Sequence, residues 1–472
     1  MRLREAIQNI YNEKLVSFHM PGHKNGQGIP ASAFMNLAYD ITEIPGSDHL
    51  HDPEGCILET EKAISSFYGS SESKILINGS TVGILSMIMG LTQPGDRILI
   101  NRNAHKSVYN AIEIQQLTPV YYFLEYDAEL GIPRSINIEK FDALTRDIKI
   151  CLLTYPTYEG FCYEIDQLID LCHKKGIPVV VDEAHGAHLI LHKDGPKSAL
   201  ELGADVVVQS FHKTLPAMTQ TACLHFSKSS ILSLKQEDRI KWYLKSLQTS
   251  SPSYILMLSI DYMLDVMAQE GIEKSDLLQE NMLELQSALK DLKVLEVSRF
   301  DHMDYSKFLL KIKRPFYEMG KVDGPCVSKL LRESYGIQVE YESTHFLLFM
   351  ASMSNTSEDF IRVIKAINDL DDRYFDLYKD YVQVESLDDG YSKYKVFYDQ
   401  YKYEEIYVCS AYEASRMDDE TVQRDHCEGR VSAEYVIPYP PGIPILVPGE
   451  SITRDVINLF PEELTHIRVL VM

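Results

Sequence analysis

Lys213 closes the stretch VVVQSFHK (206–213), where a run of apolar residues ends and Ser210, His212 and Lys213 arrive together. A lysine just past a buried strand is commonly a polar exit to solvent, but it can also be desolvated, lose its charge and serve as an imine-forming amine. Other residues able to do chemistry recur in the same kind of place. NGSTVG (78–83) puts Ser80 and Thr81 where a strand gives way to a helix, so they cap that helix or hold a phosphate on its free N–H groups. VVVDEAHGAH (179–188) sets Asp182 and His185 past a fully apolar run, the carboxylate being a satisfied turn residue or the partner of a buried cation. No third ligand at metal-type spacing accompanies His185 and His188, so no metal site is expected. NRNAHKSVYNA (101–111) places His105 after another such run, as a capping or core histidine or as a flat surface for a ligand. Each has an ordinary structural reading alone, yet one cofactor explains them all. Pyridoxal 5′-phosphate needs a lysine for its aldehyde, a phosphate cradle, a carboxylate to keep its pyridine nitrogen protonated, and a flat partner for its ring. Ser80, Thr81, His105, Asp182, Ser210, His212 and Lys213 supply these.

For those residues to meet, the strands before them must end on one edge of a sheet, since open α/β sheets bind ligands beyond their carboxyl ends. SKILINGS (73–80), DRILINR (96–102), IKICLLTYP (148–156), IPVVVDEAH (177–185), ADVVVQS (204–210) and TACLHF (221–226) are strand candidates. They alternate with amphipathic stretches such as IDQLIDLCHKKG (165–176), the pattern of an α/β unit with a mainly parallel sheet covered by helices. This unit covers about 61–290. Beyond it, KVLEVSR, SKFLLKIK, CVSKLLRESYG, IQVEYES, HFLLFMAS and EDFIRVIKAINDL read as a smaller α+β unit over 291–371. The remainder, 372–472, passes from a tyrosine- and acid-rich stretch into VIPYPPGIPILVPGE (436–450), which predicts turns and short strands.

Composition narrows the class further. The 472 residues, 45% of them hydrophobic, suffice for two or three domains with large cores. A formal charge of −23 argues against nucleic acid or an anionic membrane as partner. The eight cysteines form no CxxC pair, so reduced and mostly buried thiols are expected. The most apolar run, GILSMIMGL (83–91), is too short to span a bilayer and no cleavable leader pattern precedes it; the expected location is the cytoplasm.

FHMPGHKNG (18–26), DITEIPGSDHLHDPEG (40–55), NGSTVG, RNAHKS, YPTYEG, VDEAHGAH, SFHKTLPAMTQTA, TSSPSY and GRVSAEYVIPYPPGIPILVPGE (429–450) follow in order across nearly the whole chain. In these motifs the chain resembles the Orn/Lys/Arg decarboxylase family of pyridoxal-phosphate enzymes, particularly its short biosynthetic arginine and lysine decarboxylases. The resemblance implies a seven-stranded sheet of fold type I with smaller C-terminal domains. It implies that Lys213 forms the internal aldimine, Asp182 pairs with the pyridinium nitrogen and His105 stacks on the ring. Ser80, Thr81, Ser210 and His212 would hold the phosphate, with Thr249 and Ser250 completing the cradle of a neighbouring subunit. His185 would lie near the ring and the substrate carboxylate, and His185 or His212 would share proton transfer with Lys213. Residues 1–60 would contribute to the substrate entrance and dimer contacts, so the expected assembly is a homodimer with shared sites. Two departures stand out: Phe211, where the family often has a small or hydroxyl residue, and Ser47-Asp48-His49-Leu50-His51, where it usually has a Leu-Asp-Asp-Leu-His-like run.

The implied reaction is decarboxylation of a basic L-amino acid, with arginine first, lysine next and ornithine third. Glu43, Asp48, Asp52, Glu54 and Glu450 are the candidate readers of the second positive charge. An aminotransferase of the same fold would keep the substrate carboxylate and clamp it with an arginine from the small domain; HFLLFMAS (345–352) carries none. A non-catalytic binding or regulatory protein of this fold has no need to retain Lys213 and Asp182.

Overall fold

The computed structural model describes residues 12–24, 27–28, 39–127, 130–298, 302–379, 406–439 and 442–472. A seven-stranded sheet runs in the order Glu72–Leu76, Ala222–Phe226, Val206–Gln209, Val179–Asp182, Ile150–Thr154, Arg97–Asn101, Thr118–Tyr122. The central strands VVVD and VVVQ bury every residue, as strands covered on both faces must. Ala222–Phe226 alone runs antiparallel to its neighbours. The chain therefore leaves Leu76, Asn101, Thr154, Asp182 and Gln209 on one edge, while Thr221 enters the reversed strand at that same edge. The strand Thr118–Tyr122 was not among the expected ones. It starts with exposed Thr118 and then Pro119, a residue tolerated in sheets only at such an edge position.

Helices cover this sheet. Gly79–Leu91, which contains the most apolar run of the sequence (83–91), is buried over most of that run and packs against Leu234–Leu247. Ile165–Lys174 buries Ile165, Leu168, Ile169 and Cys172, a stripe at helical spacing.

The smaller unit is a four-stranded antiparallel sheet, Leu295–Ser298, Lys307–Ile312, Phe346–Met350, Tyr341–Glu342, with helices Gly324–Tyr335 and Ser357–Tyr378. The helix Tyr254–Ala288 leads out of the large unit and packs on Ser357–Tyr378. The N-terminal strand Val16–Phe18 joins this smaller unit, pairing in parallel with Ile337–Val339. Phe18 sits edge-on to Phe349 and Phe360, at 5.8 and 5.5 Å.

At the C-terminal end, Asp419–Gln423 pairs antiparallel with His466–Leu470 over a core that includes Cys427, Leu446, Ile452 and Val469. This part is tied to the large sheet by a buried ion pair, Arg102 Nη2 to Glu450 Oε2 at 3.3 Å. Arg102 also donates from Nη1 to the Pro444 carbonyl at 2.6 Å. Much of the tyrosine- and acid-rich stretch, and Pro440 and Pro441 of PYPPG, lie outside the described residues. All eight cysteines are free thiols, five of them buried. Among the described residues, no helix is long and apolar enough to cross a membrane.

Candidate active site

Lys213 lies in the short helix Phe211–Thr214, which begins as soon as the strand Val206–Gln209 ends. Phe211 anchors the turn: it is fully buried and stacks on Tyr68 with ring centroids 5.9 Å apart. His212 donates from Nδ1 to the Thr221 carbonyl at 2.9 Å, fastening the turn to the start of the reversed strand. From the other side, the Gly22 amide donates to the His212 carbonyl at 2.7 Å. A Cβ at residue 22 would stand 2.6 Å from the Leu215 carbonyl oxygen, so the glycine of MPGHK is what allows this approach.

The Lys213 side chain enters a cavity of about 370 Å³. Its wall takes Ser80, Asn101, Asn103, His105, Thr154, Asp182, His185, His212 and Lys213 from the carboxyl edge of the sheet. His19 and Met20 come from the N-terminal segment, Gln338 and Glu340 from the smaller unit, and Tyr439 and Ile443 from the C-terminal part. His105 caps the helix Lys106–Gln115, its Nδ1 accepting from the Ser107 amide at 3.3 Å. Gly442 lies against the His105 ring; a Cβ there would come within 3.2 Å of it, and its φ of +83° already favours glycine.

The electrostatics follow from burial. Lys213 Nζ is 3.1 Å from His185 Nε2. Desolvation pushes the Lys213 amine down from the ordinary lysine range, against the pull of Asp182 and Glu340 and with a further push from Lys307. His185 is held well below the usual histidine value by burial and then by Lys213 and Lys307, so it is neutral. Asp182 is pushed up by burial, and Lys213 and the Ala184 amide offset only part of that. His105 and His212 are both lowered to about 4, chiefly by burial.

The structure thus brings Ser80, His105, Asp182, His185, His212 and Lys213 to one cavity. Ser210 is fully buried rather than on the wall, and its Oγ has no hydrogen-bond partner. Thr81, Thr249 and Ser250 are exposed and do not line the cavity. Thr249 lies nearby all the same, its amide 3.3 Å from Asn78 Oδ1 at the start of the Ser80 helix. Buried polar groups are nearly always bonded. An orphaned hydroxyl at Ser210, a half-satisfied carboxylate at Asp182 and a desolvated amine at Lys213 fit a phosphorylated pyridine aldehyde.

The acids expected at the substrate mouth stand elsewhere in this subunit. Asp48 caps the helix Cys56–Tyr68, accepting from the amides of Glu54, Gly55 and Ile57 at 2.8–3.0 Å. Those bonds outweigh desolvation and bring its carboxyl down to about 2. Glu450 is spent on Arg102. Glu43, Asp52 and Glu54 do not line the cavity. Among the described residues, the acids that do, besides Asp182, are Glu159 and Glu340, which the sequence reading missed. Glu340 follows the strand Ile337–Val339 and accepts from the Tyr158 hydroxyl at 2.8 Å and the Met20 amide at 2.9 Å. Burial pushes the Glu159 carboxyl up. The only signal for Glu340 was a carboxylate leaving an alternating strand, which reads as solvent-facing until its partner strand is known.

Behind His185 lies a buried polar chain. Lys307, fully buried, places Nζ 3.5 Å from His185 Nδ1, 3.2 Å from the Tyr158 carbonyl and 3.6 Å from Asp304 Oδ2. Asp304 Oδ1 accepts from His188 Nε2 at 2.8 Å. His185 and His188, three residues apart in sequence, therefore serve different partners.

The sequence matches two family models, "Orn/Lys/Arg decarboxylase, major domain" over residues 3–319 and "Orn/Lys/Arg decarboxylase, C-terminal domain" over 393–463. The chain is 32% identical to the arginine decarboxylase of Bacillus anthracis, over 93% of this chain and 88% of that protein. It is 30% identical to the arginine decarboxylase of Bacillus subtilis (strain 168), over 97% and 92%. Among solved structures, the constitutive lysine decarboxylase of E. coli superposes with a TM-score of 0.73 at 20% identity, covering 92% of this chain and 75% of that one.

Proposed function

The chain belongs to the Orn/Lys/Arg decarboxylase family, and from that premise we propose that it decarboxylates a basic L-amino acid with pyridoxal 5′-phosphate carried by Lys213. Its fold is the type I fold of pyridoxal-phosphate enzymes. The observation that carries the reading is the meeting of Lys213, Asp182 and His185 in a cavity whose other acids are Glu159 and Glu340. When bound, the cofactor supplies an electron sink for the bond broken at the substrate Cα.

The chain's own residues do the rest. Burial lowers the Lys213 amine from the ordinary lysine range, which favours the free amine that an imine-forming lysine must have. Asp182 would hold a proton on the ring nitrogen, and the positive charge there would offset the burial that pushes its carboxyl up. His105 offers a neutral flat face, and Ser80, Ser210 and His212 hold the phosphate, with Thr81 at the same helix start. His185 and Lys213 stand within hydrogen-bond reach of each other, and they would carry the proton to the substrate Cα. Glu340 and Glu159 read the second positive charge of the substrate. No arginine lines the described part of the wall, which disfavours an aminotransferase that clamps the carboxylate.

Arginine stands first because two relatives named arginine decarboxylase are 32% and 30% identical to this chain over aligned stretches covering most of it. Lysine and ornithine follow. CO₂ release from the three amino acids at equal concentration tests the reading: arginine should lead. A preference of about tenfold or more for a neutral or acidic amino acid would overturn it, whereas a lead by lysine would change only the ranking.

A further inference from the structure

We propose that Lys307, contributed by the smaller unit, is a positioning residue: it fixes the tautomer of His185 and so keeps Lys213 a free amine. This rests on the reading of Lys213 as the imine-forming lysine. The argument is a count of donors. An ammonium has three N–H donors and no acceptor. Lys307 directs two of them to the Tyr158 carbonyl at 3.2 Å and His185 Nδ1 at 3.5 Å, with Asp304 Oδ2 as an ion-pair neighbour at 3.6 Å. His185 Nδ1 must then accept, so the proton of the neutral ring sits on Nε2. Nε2 faces Lys213 Nζ at 3.1 Å and donates to it. An amine that accepts a hydrogen bond needs its lone pair, so this arrangement disfavours the ammonium form of Lys213.

Asp304 places a buried carboxylate 3.6 Å from Lys307 Nζ, the counter-charge to an ammonium in a fully buried place. It is ionised, its carboxyl held low by His188, Lys307 and the Ser306 amide against the opposing effect of burial. The pair sits at the start of the strand Lys307–Ile312, so the amine on the large unit is tuned by a charge on the smaller one. Asp182, Glu340, His105 and His212 also face Lys213 and His185, while Glu159 and Cys162 face Lys307. Of these, Glu159 and Cys162 feel the Lys307 charge and would be pushed further up without it, which leaves both neutral.

The test reads Lys213 directly and does not depend on turnover. Cofactor-free full-length protein is labelled with trace acetic anhydride across a pH series, and acetylation of Lys213 is quantified by peptide mass spectrometry. In Lys307→Met the inflection of Lys213 labelling should move up by about one pH unit, and in Lys307→Arg it should return to the wild-type position. A uniform loss of structure would change the amount of labelling without this charge-dependent pattern. Because the Lys307 charge also pushes Lys213 down directly, the double variant Lys307→Met/Asp304→Asn, which removes both charges together, decides: the rise should persist there, and its loss would reduce Lys307 to a plain charge effect and overturn the positioning role. An unmoved inflection without Lys307, or a rise in Lys307→Arg equal to that in Lys307→Met, would overturn the proposal. Failure of Lys213 to take up pyridoxal 5′-phosphate would instead sink the reading of function and leave the labelling result standing.

Discussion

A cation drawn from water into a cavity must find a carboxylate with bonding capacity left, and Glu340 has it. Its two oxygens already accept one neutral donor each, from Tyr158 and Met20, which hold the group in place without neutralising it. Glu340→Gln should therefore raise KM for the preferred basic substrate by roughly ten- to a hundredfold, the equivalent of the 1.5–3 kcal/mol of a charged hydrogen bond, with kcat changed less. Steady-state kinetics decides, and an unchanged KM would show that the second charge is read elsewhere. Asp182 makes a different demand. An amide cannot hold a proton on a ring nitrogen, so Asp182→Asn should lower kcat by about three orders of magnitude while cofactor uptake and the unfolding midpoint survive. A loss below about tenfold would mark the carboxylate as structural.

At the scale of elements, the Arg102–Glu450 pair joins the C-terminal part to the loop after Arg97–Asn101, and both groups are withdrawn from water. Removing the guanidinium leaves a buried carboxylate without its counter-charge, so Arg102→Met should destabilise the protein by about 3–5 kcal/mol in denaturant unfolding. Because Tyr439 and Ile443 of that part line the cavity, activity should fall well before the large sheet melts. The same pair shows what sequence reading could and could not reach. Glu450 sits in a motif of entrance type, and only the fold reveals that Arg102 claims it. Lys213, Asp182 and His185 were legible because an apolar run of strand length ending in polar residues has few other meanings in an α/β sheet. Lys307 was not, since a lysine beside alternating apolar residues reads as a solvent-facing strand position until Asp304 and His185 are seen around it. The strand Thr118–Tyr122 was hidden for a kindred reason: at the sheet edge, half of its residues need not be apolar.

For the molecule as a whole, two responses follow from groups the fold holds out of water. His19, His105 and His212 are lowered to about 4, chiefly by burial, whereas an unfolded chain protonates its histidines near 6.5. Between those values the unfolded state binds protons that the folded state refuses, so this contribution to stability shrinks as pH falls from about 6.5 to about 4. Glu183, pushed up to about 8 by burial, acts in the opposite sense between there and the ordinary carboxyl range, so the full curve mixes both. The difference between wild type and His212→Asn isolates the histidine: the variant's unfolding midpoint should lose less ground from pH 7 to pH 5, and parallel losses would refute the assignment. The other response concerns assembly. Thr249 and Ser250 are exposed, lie off the cavity wall and sit beside the start of the Ser80 helix, as expected if each subunit completes its neighbour's phosphate cradle. Two dead variants should then rescue each other. Lys213→Ala removes the amine of its own site, and Ser250→Trp blocks the cradle of the site next door. Co-expressed in equal amounts, they form mixed dimers in about half of the population, and in each one site carries both defects while the other carries neither. Activity should return to about a quarter of the wild-type level, from two parents that have almost none. If Ser250 serves its own subunit, each site in a mixed dimer keeps one defect and nothing is restored. Complementation therefore separates a shared site from a self-contained one without relying on a measured oligomeric state.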